Sequence, residues 1–193
     1  MKERPILFSG EMVRAILDGK KTQTRRVVKD LQWAESPVKV AHIGKRVGTP
    51  EALCPYGQPG DHLWCRETWG HNGSLNCPIH YRADEPEWKN ESLNPNAKWH
   101  PSIHMPRWAS RILLEIVAVR VERLQEISDS DALAEGVTIR EDARIAAHIA
   151  GSPETPAIME YWHLWESING SKPGKSWQDN PWVWVIEFKR VEP

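Results

Sequence analysis

Ile16-Leu17-Asp18-Gly19-Lys20-Lys21-Thr22-Gln23-Thr24-Arg25-Arg26 is the stretch around which the rest of this 193-residue chain is read. Upstream of it, Pro5-Ile6-Leu7-Phe8 reads as a short strand, and Ser9 is placed to cap a helix running to about Asp18. Met12, Val13, Ile16 and Leu17 share one face of that helix, and Gly19 stops it. The octet from Gly19 to Arg26 thus follows a helix directly, on what reads as a tight turn. Between Arg14 and Lys29 stand Arg14, Lys20, Lys21, Arg25, Arg26 and Lys29 against a single acid, Asp18, in a chain of formal charge −1. A local cationic cluster on a nearly neutral body points to a discrete anion or nucleic-acid site. Thr22 and Thr24 interleave with the cations. A Lys three residues before a Thr can supply an amine and a hydroxyl to one pocket, the raw material of a Thr nucleophile with a Lys base. The competing reading is that cations after a helix C-terminus complement its dipole and are otherwise solvated.

Working outward, the length fits one domain over residues 1–193 with a sizeable insertion. Charged residues make up 26% and hydrophobic ones 40%, as in ordinary soluble domains. The three cysteines, Cys54, Cys65 and Cys77, are too few and too odd in number for a disulfide framework. No apolar run approaches membrane-spanning length, and no signal-peptide core follows Met1-Lys2-Glu3-Arg4-Pro5. A soluble, cytoplasmic protein with no membrane partner is the expectation. The composition holds 11 Trp against 2 Phe and 3 Tyr. Tryptophans serve as base-stacking platforms or, more commonly, as core packing.

Residues 28–60 carry no sustained periodicity and read as loop with one poor strand. Tyr56-Gly57-Gln58-Pro59-Gly60-Asp61 is a turn signal before a strand at His62-Leu63-Trp64-Cys65-Arg66-Glu67-Thr68-Trp69. From about 70 to 108 the composition shifts to Asn, Pro, Trp and His, which reads as a long irregular insertion, functional or tied down. Within it Cys77-x2-His80 and His100-x3-His104 have ligand-like spacing, yet the second cysteine usual in structural zinc sites is missing, so no metal is expected. Arg111 to Leu124 is the longest strand expected. Ser128 opens a short helix with capping-box spacing, ended by Gly136; helices are expected over about 139–150 and 154–168. A last strand, Trp182-Val183-Trp184-Val185-Ile186-Glu187-Phe188-Lys189, closes the pattern. Strands that start, centre and end the chain, with helices between, predict an α+β domain built round a mixed sheet or small barrel.

Taken together, the first motif, the Gly57-Gln58-Pro59-Gly60-Asp61 turn with its strand, Val185-Ile186-Glu187-Phe188 and Ile127-Ser128-Asp129-Ser130-Asp131-Ala132-Leu133-Ala134-Glu135-Gly136 resemble the ASCH domain family. Within that family the chain resembles the phage-related proteins that carry a Trp-rich insertion, and the resemblance covers nearly its whole length. It implies a PUA-like mixed β-barrel with flanking helices, and a cleft for RNA or a modified nucleoside. Some small ASCH proteins are amidohydrolases that deacetylate N4-acetylcytidine, and others are reported as ribonucleases. Their amidohydrolase set of a Lys, a Thr and a Glu falls on Lys21, Thr24 and Glu135 of this chain. The chain is roughly twice as long as those enzymes, through the 70–108 insertion and extra helices.

Amide hydrolysis by that set needs Thr24 to attack, and Lys21 neutral to take its proton, its pKa lowered by burial or by neighbouring cations such as Lys20, Arg25 and Arg26. Glu135 would orient the lysine, accept from the base or protonate the leaving amine; otherwise it is a helix-end acid at the surface. Lys20, Thr22, Arg25, Arg26 and Arg66 are candidate contacts to phosphate or base edges. Trp69 is a candidate stacking platform. Arg66, with Glu67 and Trp69 on a strand after a turn, reads as a barrel-rim binding surface or, equally well, as part of an ordinary cross-strand ion pair. No cofactor is needed. Three functions remain open on the sequence: an N-acyl cytosine-type amidohydrolase, a non-catalytic PUA-like RNA-binding module, and a metal-independent ribonuclease.

Overall fold

The structure is a computed structural model that describes residues 1–29, 31–33, 41–43, 46–71, 78–85, 98–139 and 155–191. The helix expected over about 139–150 lies outside these residues but for its first position, and so does Cys77. Among the described residues, no helix is long and apolar enough to cross a membrane.

The fold is mixed α+β. Its centre is a five-stranded sheet of β1 (Glu3–Leu7), β2 (Gln23–Val27), β6 (His62–Arg66), β10 (Leu113–Arg123) and β11 (Trp182–Val191). They lie in the order β1-β6-β10-β11-β2. β1 runs parallel to β6, and every other pairing is antiparallel. β3 (Leu31–Trp33), β4 (Ala41–Ile43) and β5 (Arg46–Gly48) form a second sheet, where a loop with one strand was expected. β7 (Trp69–His71), β8 (His80–Tyr81) and β9 (Lys98–His100) form a third, inside the stretch read as irregular. Such two- and three-residue strands are too short to leave a readable period.

β11 explains the sheet's central position in the molecule. Its run of apolar residues has no polar face, as expected of a strand covered on both sides. Trp184, Ile186 and Phe188 join Ile6, Phe8, Val13 and Leu114 in one core. Val183 and Val185 point the other way, to Tyr161, Trp165 and Trp177. The first core is closed by α1 (Gly10–Leu17), capped by Ser9, whose hydroxyl accepts from the Met12 N–H at 3.3 Å. The second is closed by α3 (Asp129–Ala134) and α4 (Pro156–Asn169); α2 (Pro50–Leu53) is a single turn beside β5.

The opening motif departs from the tight turn expected of it. It is not a turn throughout: the chain reverses at Asp18 and Gly19, where Gly19 adopts φ +72°, and Gln23–Val27 is a strand that, among the described residues, pairs only with β11. β2 and β1 are therefore the two edges of the sheet. A side chain ties them together, since Arg26 Nη2 donates to the carbonyl of Leu7 at 2.7 Å.

Candidate functional site

Lys21 is positioned by backbone bonds on both sides. Its N–H donates to Ala15 O at the end of α1, and the following Thr22 N–H donates to Ala134 O at the end of α3. An isolated antiparallel bridge pairs Lys21 with Glu135, the C-cap residue of α3. Gly136 then turns the chain away at φ +86°, and a Cβ there would sit 2.9 Å from the Cβ atoms of both Ala15 and Lys21. The turn after α3 is thus pressed against the turn after α1, and only a residue without a side chain fits between them.

The result is a buried ion pair. Lys21 Nζ donates to Glu135 Oε2 at 2.8 Å and to the Glu135 carbonyl at 2.8 Å. Lys21 and Glu135 are 2% and 3% exposed, so the surface-acid reading of Glu135 is excluded. Burial pulls the Lys21 pKa below the ordinary lysine value; Glu135 opposes the shift, and Arg26 and Arg25 add smaller contributions in the same direction as burial. Desolvation, rather than the neighbouring cations, is therefore the larger cause. Lys20 contributes nothing to it: that side chain is exposed and paired with Asp18 at 3.0 Å.

Arg25 holds the other carboxylate oxygen. Its Nη1 donates to Glu135 Oε1 at 3.3 Å, and its Nη2 to Asp131 Oδ2 at 3.0 Å and Glu122 Oε2 at 3.2 Å. Arg120 binds both oxygens of Asp131 at 3.1 Å and also donates to Glu122 and Glu187. Two arginines and four carboxylates form one lattice that fixes Glu135. Burial alone would raise the Asp131 pKa, but Arg25 and Arg120 more than offset it and hold that carboxyl below its usual value. Arg25 is a network residue here, with its guanidinium carbon 5.9 Å from the centre of the Tyr161 ring.

Thr24 lies between these cations on β2, directly opposite Ile186. Neighbouring strand residues point to opposite faces, so Thr24 and Arg26 share the face of Ile186, while Arg25 takes the other. On the Thr24 face, the Phe8 ring lies 5.8 Å from Lys21 Nζ and 5.4 Å from the Arg26 guanidinium carbon. A cavity of about 220 Å³ opens at this sheet edge. Its walls include Thr24, Arg25, Arg26, Glu135, Tyr56 and Tyr161. Lys29, Lys172 and Lys175 also border it. Of the proposed catalytic set, Glu135 and Thr24 thus face one cavity, and Lys21 stands directly behind Glu135.

Other expected contacts lie elsewhere. Thr22 is exposed and borders a separate depression with Asp131 and Glu187. Arg66 lies over the Trp64 ring, 4.7 Å from its centre, and is not part of the cavity wall. Among the described residues Arg66 forms no cross-strand ion pair, and its Nε has no hydrogen-bond partner. Glu67 is held instead by Arg111 at 2.9 and 3.0 Å, and Arg111 also reaches Asp84, which ties the insertion to the sheet. Trp69 is buried, stacked on His100 with ring centres 4.8 Å apart and edge-on to Trp108, so it offers no free face to a base. His80 pairs with Glu85 at 2.9 Å. Among the described residues no group of three or more metal-ligating side chains converges.

Sequence reasoning missed Tyr161 as a cavity wall. It also missed Arg120, Glu122 and Glu187. Their signal was present: charged residues placed inside two otherwise apolar strands need partners. No protein-family model, curated protein or solved structure matches this chain.

Proposed function

We propose that the chain is an amidohydrolase of the ASCH type, acting on an N-acyl cytosine nucleoside such as N4-acetylcytidine in a PUA-like fold. One observation carries this reading: a buried lysine is paired with a buried glutamate, and that glutamate and a threonine wall one cavity. A structural ion pair of this kind has no need of a cavity, and replacing it by apolar residues costs little stability. The link that Arg26 makes between the two edge strands supports a sheet curled toward a barrel.

In this reading the neutral Lys21 amine accepts the Thr24 proton as Thr24 Oγ bonds to the acyl carbon. Arg26 stabilises the negative charge on the carbonyl oxygen. The C–N bond then breaks, and the leaving amine takes its proton from the Lys21 ammonium. Water cleaves the acyl-threonine ester, again giving a proton to Lys21, and the carboxylic acid departs with the Thr24 hydroxyl restored. Glu135 keeps the amine aligned, and through Arg25 its own position is fixed. The test is incubation of the protein with N4-acetylcytidine, read by mass. Formation of cytidine and acetate by wild type, lost in Thr24→Val, is the expected result.

A second reading is a binding module with the same cleft. It is favoured by the two bonds that Lys21 donates to Glu135, which suit a permanently charged lysine. Binding of N4-acetylcytidine without turnover by wild type selects it.

A further inference from the structure

The mouth of the cavity carries charge that an uncharged nucleoside does not require. Lys29, Lys172 and Lys175 border it, and none of the three has a carboxylate partner among the described residues. Lys172 donates to the Ile168 carbonyl at 2.7 Å and to Asn169, both neutral groups that leave its charge uncompensated. Its contact with the end of α4 accounts for Lys172 as a helix-terminus cation. That role does not bring Lys29, two residues beyond β2, to the same mouth. The acid in the wall, Glu135, is already bound by Lys21 and Arg25. A neighbouring cavity of about 630 Å³, which shares Met12, Glu135 and Leu164, is bordered by charges of both signs: Glu11, Asp18 and Glu160 with Arg14 and Lys20, of which Asp18 and Lys20 pair at 3.0 Å. In a near-neutral chain, cations without a carboxylate partner are therefore concentrated at the mouth of the smaller cavity, where a ligand enters.

We infer that the ligand is a nucleotide, its phosphate held at the mouth by Lys29, Lys172 and Lys175 and its base directed inward to Thr24. This rests on the nucleoside-cleft reading above and names the substrate class within it. The phosphate belongs either to a free mononucleotide or to an RNA strand, which present the same acceptor oxygens to the lysine ammonium groups.

The test is equilibrium binding by calorimetry, independent of turnover. Cytidine 5′-monophosphate is expected to bind wild type at least about tenfold more tightly than cytidine, with the difference shrinking as salt rises. The Lys29→Ala/Lys172→Ala/Lys175→Ala variant is expected to bring nucleotide affinity down to that of cytidine. All three positions lie outside the buried core, and circular dichroism checks the fold. Equal affinity of wild type for the two ligands, no binding of either, or an unchanged preference in a folded triple variant overturns the inference. A cytidine-containing tetranucleotide that binds more tightly than the mononucleotide supports the inference with an RNA strand as the phosphate source; the reverse order supports it with a mononucleotide. N4-acetylcytidine 5′-monophosphate is then tested for deacetylation. No turnover with the phosphate preference intact removes the hydrolase reading and leaves the phosphate site standing.

Discussion

Lys21 and Glu135 lie 114 residues apart in the chain and are joined twice, the lysine amine donating to both the carboxylate and the backbone carbonyl of the same residue. Glu135 is also the residue that α3 ends on, so this contact fixes a backbone position as well as a charge. Lys21→Met is expected to leave the buried carboxylate on Arg25 alone and to destabilise the fold by about 2–4 kcal/mol, read by urea unfolding. Lys21→Arg is expected to abolish turnover, because a guanidinium does not give up its proton near neutral pH. In wild type the rate is expected to rise with pH along a limb below the ordinary lysine value of 10.5.

Thr24 tests the nucleophile without disturbing the lattice around Glu135. Thr24→Ser keeps a hydroxyl and is expected to retain part of the rate. Thr24→Val keeps the shape and is expected to lose it all, with the unfolding midpoint changed little. Equal activity in the two variants would sink the nucleophile assignment.

Gly136→Ala adds a single methyl where the backbone is left-handed and two neighbouring Cβ atoms are 2.9 Å from the new one. The expected cost is about 2–4 kcal/mol, with Lys21 displaced from Glu135. Calorimetric melting measures the first effect and loss of turnover the second.

Asp131 sets a pH dependence of stability. Its folded pKa lies below the unfolded value of 3.8: burial raises it, but Arg25 and Arg120 lower it further. A carboxyl with a depressed folded pKa contributes stability that is fully present above its unfolded pKa and is lost as pH falls through the folded one. Asp131→Asn is therefore expected to flatten the dependence of the urea midpoint on pH over roughly pH 2–4. An unchanged acid limb in that variant would assign the effect to another carboxylate.

What the sequence made legible follows from where apolar residues cluster. β6, β10 and β11 are found in it because each buries a run of large side chains, and α1 and α3 because Ser9 and Ser128 cap them. β2 was not read as a strand because Gln-Thr-Arg-Arg-Val has no apolar alternation. It is an edge strand whose Arg25 is satisfied by α3 and β10 and whose Arg26 reaches β1, which no local pattern announces. Lys21 and Thr24 were suggested by their spacing in the opening motif, whereas Glu135 came from resemblance alone. The lattice that holds Glu135 was missed because its members lie on four separate elements. Trp69 was misjudged for the opposite reason: an aromatic after a turn looks the same in sequence whether its ring faces solvent or, as here, another ring.

The pairing of β2 with β11 has a consequence for the order of events in synthesis. Arg25 and Val185 face each other in the finished sheet, yet nearly the whole chain must be made between them. At bacterial-to-eukaryotic elongation rates the strand that carries Thr24 waits roughly 10–30 s on the ribosome for β11, its one strand neighbour among the described residues. Throughout that wait the nascent segment offers an unpaired edge and a row of free cations. The cavity wall is thus among the last parts of the molecule to form, and a chain stalled before residue 182 holds the motif without the site.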